Sequence, residues 1–139
     1  MSITAIIEQL RTHYVETGLA DSYFSINNGL CEDFALEAIA KLNDNSGDVY
    51  EIYTESFELP DSVRDGNWDW DLLKSTFNMD VPKGFSKEFI DSVAFSGHAW
   101  IHCHGKHYDA ECPEGVDSFF DLPIFTACIK RYANRISST

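Results

Sequence analysis

The segment GHAWIHCHGKHYDAE, residues 97–111, decides the fold that this sequence predicts. Residues 99–104 alternate along the chain and contain β-forming side chains, which is typical of a strand. Gly105-Lys106 suits a two-residue turn with glycine at its first position, so residues 107–111 are expected to return as the antiparallel partner. The sequence therefore predicts a β-hairpin in the second half of the chain.

Helical patterns account for much of the remaining chain. In the first of them, apolar residues recur with a helical period from Ile3 until Gly18, and Ser2 or Thr4 can cap the helix. The expected elements are helices at 3–18, 31–42, 70–77, 86–94 and 123–135, a short strand at 49–53, a polar connection at 18–30, an acidic irregular stretch at 55–71 and a loop at 111–115. Since neither repeats nor a linker are visible, residues 1–139 are expected to form one α+β domain.

The chain is strongly acidic. Its 139 residues include 10 Lys+Arg and 23 Asp+Glu, a formal net charge of −13, and 14% are aromatic. That aromatic content indicates a packed domain, not a disordered acidic tail. Because phosphate binding requires clustered basic residues, neither nucleic acid nor an anionic membrane is an expected partner.

No segment approaches the ~18 apolar residues that span a bilayer. The N-terminus also lacks the basic start of a signal peptide. A reducing cytoplasm is therefore the expected location, and the four cysteines are expected to be free thiols, metal ligands or a nucleophile rather than disulfides.

Cys31 stands at the predicted head of the second helix, directly after a glycine-containing turn. The unpaired N–H groups and positive dipole at a helix N-terminus favour the thiolate, which is the reactive form. The same N–H groups can stabilise an oxyanion beside the sulfur. Cys31 is therefore a candidate nucleophile, although most cysteines are simply small buried apolar residues.

A nucleophilic cysteine needs a base, and the base needs a group that orients it. Residues of equal parity share one face of a strand, so His98 and His102 project to the same side of the predicted hairpin. With the turn at Gly105-Lys106, Asp109 faces His102 directly and belongs to the same side. His98 and His102 are therefore both candidate bases, and Asp109 is the candidate orienting group.

Short motifs in these segments resemble a known superfamily. GLCEDFA at residues 29–35 is similar to the nucleophile segment of bacterial transglutaminase-like cysteine peptidases. GHAWI at 97–101, followed by GKHYD at 105–109, is similar to the His and Asp strands of the broader papain-like and transglutaminase-like superfamily. The resemblance implies an α+β fold in which N-terminal helices precede a central helix that begins with the cysteine and packs on a small antiparallel sheet.

The resemblance also implies a function and its residues. Cys31 would be the nucleophile, His98 the general base and acid, and Asp109 the orienting residue. His98 is preferred over His102 because its Gly-His-aromatic context and its spacing to Asp109 match the superfamily. The expected protein is a cysteine-dependent hydrolase, a peptidase or amidase, that acts on a peptide or amide through a thioester and requires no cofactor or metal.

Papain-like enzymes often add a side-chain amide to the oxyanion hole from just upstream of the cysteine. Asn27 and Asn28 lie four and three residues before Cys31, so they are the candidates for this role. Asn at such a position is also ordinary turn chemistry.

Two other functions compete with catalysis. Zinc prefers imidazole and thiolate ligands, and several lie close together in the sequence: His98, His102, Cys103, His104, His107 and Cys112. They include no Cys-x-x-Cys pair, which weakens the zinc hypothesis.

The second alternative is a non-catalytic interaction or inhibitor protein that keeps the papain-like fold and docks a basic partner on its acidic surface. Trp68 and Trp70 would suit such docking, but core packing is the more ordinary expectation for them.

Overall fold

A computed structural model describes residues 1–52, 68, 70–93, 95 and 97–137 of the protein. Most of the stretch for which an irregular acidic segment is predicted lies outside these residues. The helices in the described part are α1 (Ile3–Glu16), α2 (Tyr23–Asn27), α3 (Cys31–Leu42), α4 (Trp70–Phe77), α5 (Lys87–Ser92) and α6 (Pro123–Ser137), with a 3-10 turn at Phe119–Asp121. The strands are β1 (Gly47–Ile52), β2 (His98–Cys103), β3 (Lys106–Asp109) and β4 (Cys112–Val116). The α+β class is therefore confirmed.

The two longer helices of the N-terminal half, α1 and α3, follow the apolar periodicity of the sequence. Ser2 caps α1, since its hydroxyl accepts a hydrogen bond from the Ala5 amide at 3.2 Å. The apolar stripes of the two helices are buried: Ile3, Ile6, Ile7, Leu10 and Tyr14 in α1, and Phe34, Ala35 and Ala38 in α3. Helix α3 ends at Leu42, and the following cap residue Asn43 has a φ of 55°, the left-handed conformation that Asn tolerates at a helix end.

A short helix interrupts the segment for which only a polar connection is predicted. Ser22 caps α2 by accepting a hydrogen bond from the Ser25 amide at 3.1 Å. Ile26 then points into the core, where it is fully buried. The prediction of a polar connection at 18–30 misses this helix, because one buried apolar residue and a serine cap are enough to hold a single helical turn in a packed setting.

The strands form one antiparallel sheet in the order β1-β2-β3-β4. The sequence predicts a loop at 111–115 where the structure has the strand β4, so that prediction is wrong. The structure places Pro113 and Gly115 at the edge of the sheet, where a residue without an N–H is tolerated. Gly115 has a φ of 78°, and a Cβ there would lie 2.5 Å from the Tyr108 ring, so glycine is required by both backbone and space.

The turn of the β2–β3 hairpin differs by one residue from the predicted turn. Cys103 pairs with Lys106, so the turn residues are His104 and Gly105 rather than Gly105 and Lys106. Both have positive φ, 51° and 76°, as in the type I′ turn, whose twist matches that of the flanking strands. His is among the residues that adopt this conformation most readily.

The observed turn changes which side chains face each other across the hairpin. His102 pairs with His107, so the prediction that His102 faces Asp109 is wrong. Continuing the pairs beyond Ile101↔Tyr108 sets Asp109 opposite Trp100. Asp109 is then a diagonal neighbour of His98 on the same face of the sheet.

The sheet separates two hydrophobic cores. On one face, Ile101 and Cys103 pack with the stripes of α1 and α3. On the other face, Trp100 packs with residues of α4, α5, α6 and the 3-10 turn, and this core also contains Trp68. Core packing of Trp68 is therefore confirmed. Among the described residues, no helix combines the length and apolar character needed to cross a membrane.

Candidate active site

Cys31 is the first residue of α3, as the sequence predicts. Gly29 makes the preceding turn with a φ of 152°, which an L side chain rarely adopts. Leu30 occupies the cap position and supplies no side-chain hydrogen bond, so the cap residue does not cover the amides of the first turn. The sulfur therefore lies at the positive end of the helix dipole.

His98 and Asp109 form a buried pair. His98 Nε2 lies 3.0 Å from Asp109 Oδ2, and the two side chains are 0% and 2% exposed. The other carboxylate oxygen, Oδ1, accepts a hydrogen bond from the Glu111 amide at 3.0 Å. The His98 ring also packs against Trp100 and Phe125, with ring centroids 6.0 and 5.6 Å away. Both partners are thus held in one orientation, as a base and its orienting group must be.

The Cys31 side chain meets the start of β2. Its sulfur accepts a hydrogen bond from the Ala99 amide at 3.4 Å. Burial would lower the pKa of His98, but hydrogen bonds to Asp109 and then to Cys31, together with the negative charge of both, outweigh burial and raise it to about 9. At neutral pH the imidazole beside Cys31 therefore carries a proton.

The rival base lies elsewhere on β2. His102 stacks on Tyr50, with ring centroids 4.6 Å apart and planes 7° apart, and its other ring neighbour is His107. Burial lowers the pKa of His102, and Asp48 opposes that shift. The structure brings His98, and not His102, to Cys31 and Asp109.

His107 is a structural group of the second core. It is 1% exposed, and its Nδ1 accepts a hydrogen bond from the indole N–H of Trp100 at 3.0 Å. Burial, and then the charge of His102, lower the pKa of His107 to about 3. The ring is therefore neutral and acts as an acceptor for the tryptophan.

A cleft of about 510 Å³ opens beside the sulfur. Its lining residues are Asn27, Asn28, Gly29, Cys31, Glu32, Asp33 and Gly97. Of the two candidate amides, Asn28 donates through Nδ2 to the Phe24 carbonyl at 2.9 Å and is exposed, which is helix-end chemistry. Asn27 is 2% exposed and donates through Nδ2 to Glu111 Oε1 at 2.9 Å. Asn27 is thus a fixed polar group in the cleft wall.

The other three cysteines lie in a different setting. All four are thiols rather than disulfides, but Cys31 is only half-buried whereas Cys103, Cys112 and Cys128 are buried. Burial, with Glu114 as a secondary cause, raises the pKa of Cys112 to about 12.

Within the described part of the chain, no group of three or more His, Cys, Asp or Glu is placed to hold a metal. The zinc alternative therefore has no support from this geometry.

Two contributors to the site were not visible in the sequence. The Ala99 amide reaches the sulfur only because α3 begins against the first residues of β2. Glu111 reaches Asn27 across 84 positions of chain, and no local pattern indicates such a contact.

Comparisons with family models, curated proteins and solved structures find no match to this chain.

Proposed function

We propose that the protein is a cysteine-dependent hydrolase, a peptidase or amidase, that acts through an acyl thioester on Cys31. The observation that supports this function is the buried His98–Asp109 pair, 3.0 Å apart, next to a half-buried cysteine at the start of a helix. An imidazolium and a helix N-terminus both favour the thiolate form of a neighbouring cysteine. The adjoining cleft gives an amide carbonyl access to the sulfur.

The reaction proceeds in two balanced halves. His98 holds the proton of Cys31, and the thiolate attacks the carbonyl carbon to form a tetrahedral oxyanion. First-turn amides of α3 and the side-chain amide of Asn27 stabilise that oxyanion. His98 passes its proton to the departing amine as the C–N bond breaks, which leaves a thioester. His98 then takes a proton from water as hydroxide attacks the thioester, and release of the carboxylic acid restores the Cys31 thiolate beside protonated His98.

We further propose that the fold is of the papain-like and transglutaminase-like type. Support comes from a helix that begins with the cysteine and packs against β2 of an antiparallel sheet, and from the histidine and aspartate on the adjacent strands β2 and β3. The proposed substrate is a peptide or a side-chain amide. A reducing compartment such as the cytoplasm would keep the four thiols reduced.

The decisive experiment compares cysteines within one molecule. Iodoacetamide is added at pH 7 in substoichiometric amounts, and the alkylated positions are quantified by peptide mass spectrometry. Cys31 is expected to react at least ~10-fold faster than Cys128. Equal reactivity of the two would contradict an activated thiol.

Turnover is then measured with p-nitrophenyl acetate. The parent is expected to show a burst of nitrophenol followed by slower steady release, since acylation precedes hydrolysis of the thioester. Cys31→Ala should lose both phases, whereas Cys128→Ala should retain them. Selective alkylation without any deacylation would favour the alternative, a binding protein whose cleft carries Glu32 and Asp33 toward a basic partner.

A further inference from the structure

Glu111 joins two parts of the candidate site that are distant in sequence. Its backbone amide donates to Asp109 Oδ1 at 3.0 Å, and its carboxylate accepts from Asn27 Nδ2 at 2.9 Å. It lies in the short turn between β3 and β4. The orienting residue of the histidine and the cleft-wall amide are therefore both held by one residue.

The carboxylate determines which way the Asn27 amide faces. A carboxylate only accepts hydrogen bonds, so the nitrogen of the amide, and not its oxygen, must lie toward Glu111. The amide nitrogen carries two hydrogens, and this contact uses one of them. Asn27 is 2% exposed yet lines the cleft beside Cys31, so the contact with Glu111 holds its side-chain amide in one orientation in the cleft wall.

We propose that Glu111 is a positioning residue of the acyl-transfer site, whose carboxylate fixes Asn27 as a donor to the oxyanion. This inference rests on the proposed function. The Glu111 carboxylate would not touch the substrate, because it acts through Asn27. Substitutions of Glu111 keep its backbone amide, and hence the contact to Asp109, so they test the carboxylate alone.

Two reactions at the Cys31 sulfur can show whether Glu111 positions the oxyanion donor or only supports the structure of the site. Alkylation by iodoacetamide is a displacement at a saturated carbon and forms no oxyanion. Acylation by p-nitrophenyl acetate passes through a tetrahedral oxyanion. A residue that orients an oxyanion donor therefore affects acylation only, whereas damage to the Cys31–His98 arrangement slows both reactions.

The expected results form a graded series at position 111. Glu111→Ala should lower the acylation rate by ~10- to 30-fold and leave the alkylation rate within ~3-fold of the parent. Glu111→Asp should behave like alanine, since it is one methylene too short to reach Asn27. Glu111→Gln should recover most of the acylation rate, because its carbonyl oxygen still accepts from the asparagine.

Coupling between the two residues provides the second measurement. Asn27→Ala should lower acylation by ~100-fold, and the double variant Asn27→Ala/Glu111→Ala should match Asn27→Ala alone. Residues that act through one another give such non-additive losses. Glu114→Ala is the matched control in the same hairpin and should leave both rates unchanged.

Each result separates this inference from the proposed function. If Cys31 is alkylated selectively and acylated, but Glu111→Ala and Glu111→Asp acylate at the parent rate, only the role of Glu111 is overturned. Additive losses in the double variant, or a parallel fall of alkylation and acylation, also overturn it. If Cys31 reacts no faster than Cys128, the proposed function itself fails. Where alanine at 111 does not fold, the Glu111→Asp and Glu111→Gln comparison gives the same decision.

Discussion

The carboxylate of Asp109 meets the ring of His98 across a diagonal of the β2–β3 pair, with 3.0 Å between Oδ2 and Nε2. Diagonal neighbours on one sheet face are ~7–8 Å apart at the backbone, a gap that long side chains can close. The His104–Gly105 turn sets this diagonal. A hairpin with its turn one residue later would place Asp109 opposite His102 instead.

The two histidines of β2 provide a matched test of the base. His98→Gln should reduce turnover of p-nitrophenyl acetate by ~10³-fold, because proton transfer by a positioned base contributes on that scale. His102→Gln should stay within ~3-fold of the parent, since His102 stacks on Tyr50 away from the sulfur. Thermal unfolding of both variants controls for folding. A larger loss in His102→Gln would make His102 the base.

The charge on His98 can be followed with two alkylating reagents. Iodoacetate is an anion and is attracted by the imidazolium, whereas iodoacetamide is neutral, so the ratio of their rates at Cys31 reports the protonation of His98. The ratio should fall as pH rises through about 9, the raised pKa of His98. In Asp109→Asn the fall should occur at lower pH, because the negative charge is removed and the remaining amide oxygen is a weaker acceptor for the imidazolium. An unchanged midpoint would contradict the role of Asp109.

His107 should make the fold sensitive to acid. Its pKa in the folded state, about 3, lies below the ordinary 6.5, so the folded protein binds the proton less tightly than the unfolded chain does. The stabilisation is therefore present above pH 6.5 and is lost as the pH falls toward 3.

Comparison with His107→Gln isolates this effect, because glutamine still offers an acceptor to the Trp100 indole but does not titrate. Between pH 3 and 6.5, the free energy of unfolding of the parent should fall more steeply than that of the variant, by up to about 1.4 kcal/mol per pH unit. Urea unfolding at several pH values measures both slopes. Equal slopes would show that His107 is not buried as a neutral ring.

Gly105 and Gly115 have nearly the same backbone conformation, so alanine substitutions at the two positions distinguish the cost of backbone strain from that of a steric clash. Gly105 has a φ of 76° and open space where a methyl group would lie, whereas at Gly115, with a φ of 78°, that methyl group would lie 2.5 Å from the Tyr108 ring. Gly105→Ala should cost ~1 kcal/mol of unfolding free energy from backbone strain alone. Gly115→Ala should cost ~1–3 kcal/mol more, because the ring must move. Equal losses in urea unfolding would show that Tyr108 gives way freely.

Local signals in the sequence were enough to predict most helices and the position of Cys31. The start of α3 follows from a turn and an apolar period that occupy adjacent residues, so neither depends on distant parts of the chain. Core packing of Trp68 was likewise predictable, because large aromatic side chains are usually buried.

Strand register and long-range contacts could not be predicted in the same way. Two overlapping pairs, His104-Gly105 and Gly105-Lys106, both suit a two-residue turn, and only the packing of both sheet faces chooses between them. The contact between Asn27 and Glu111 depends on how α2 docks beside the β3–β4 turn. Such docking is a property of the assembled cores and leaves no periodic trace in the sequence.

The two cores lie on opposite faces of the sheet, and this arrangement has a consequence for folding. Cys31 begins a helix that packs in one core, whereas the His98 ring packs against Trp100 and Phe125 of the other core. Cys31 and His98 therefore come together only once both cores have formed on the sheet. In a nascent or partly unfolded chain Cys31 would be an ordinary thiol, so the extent to which a reactive ester labels Cys31 would report the fraction of fully folded molecules.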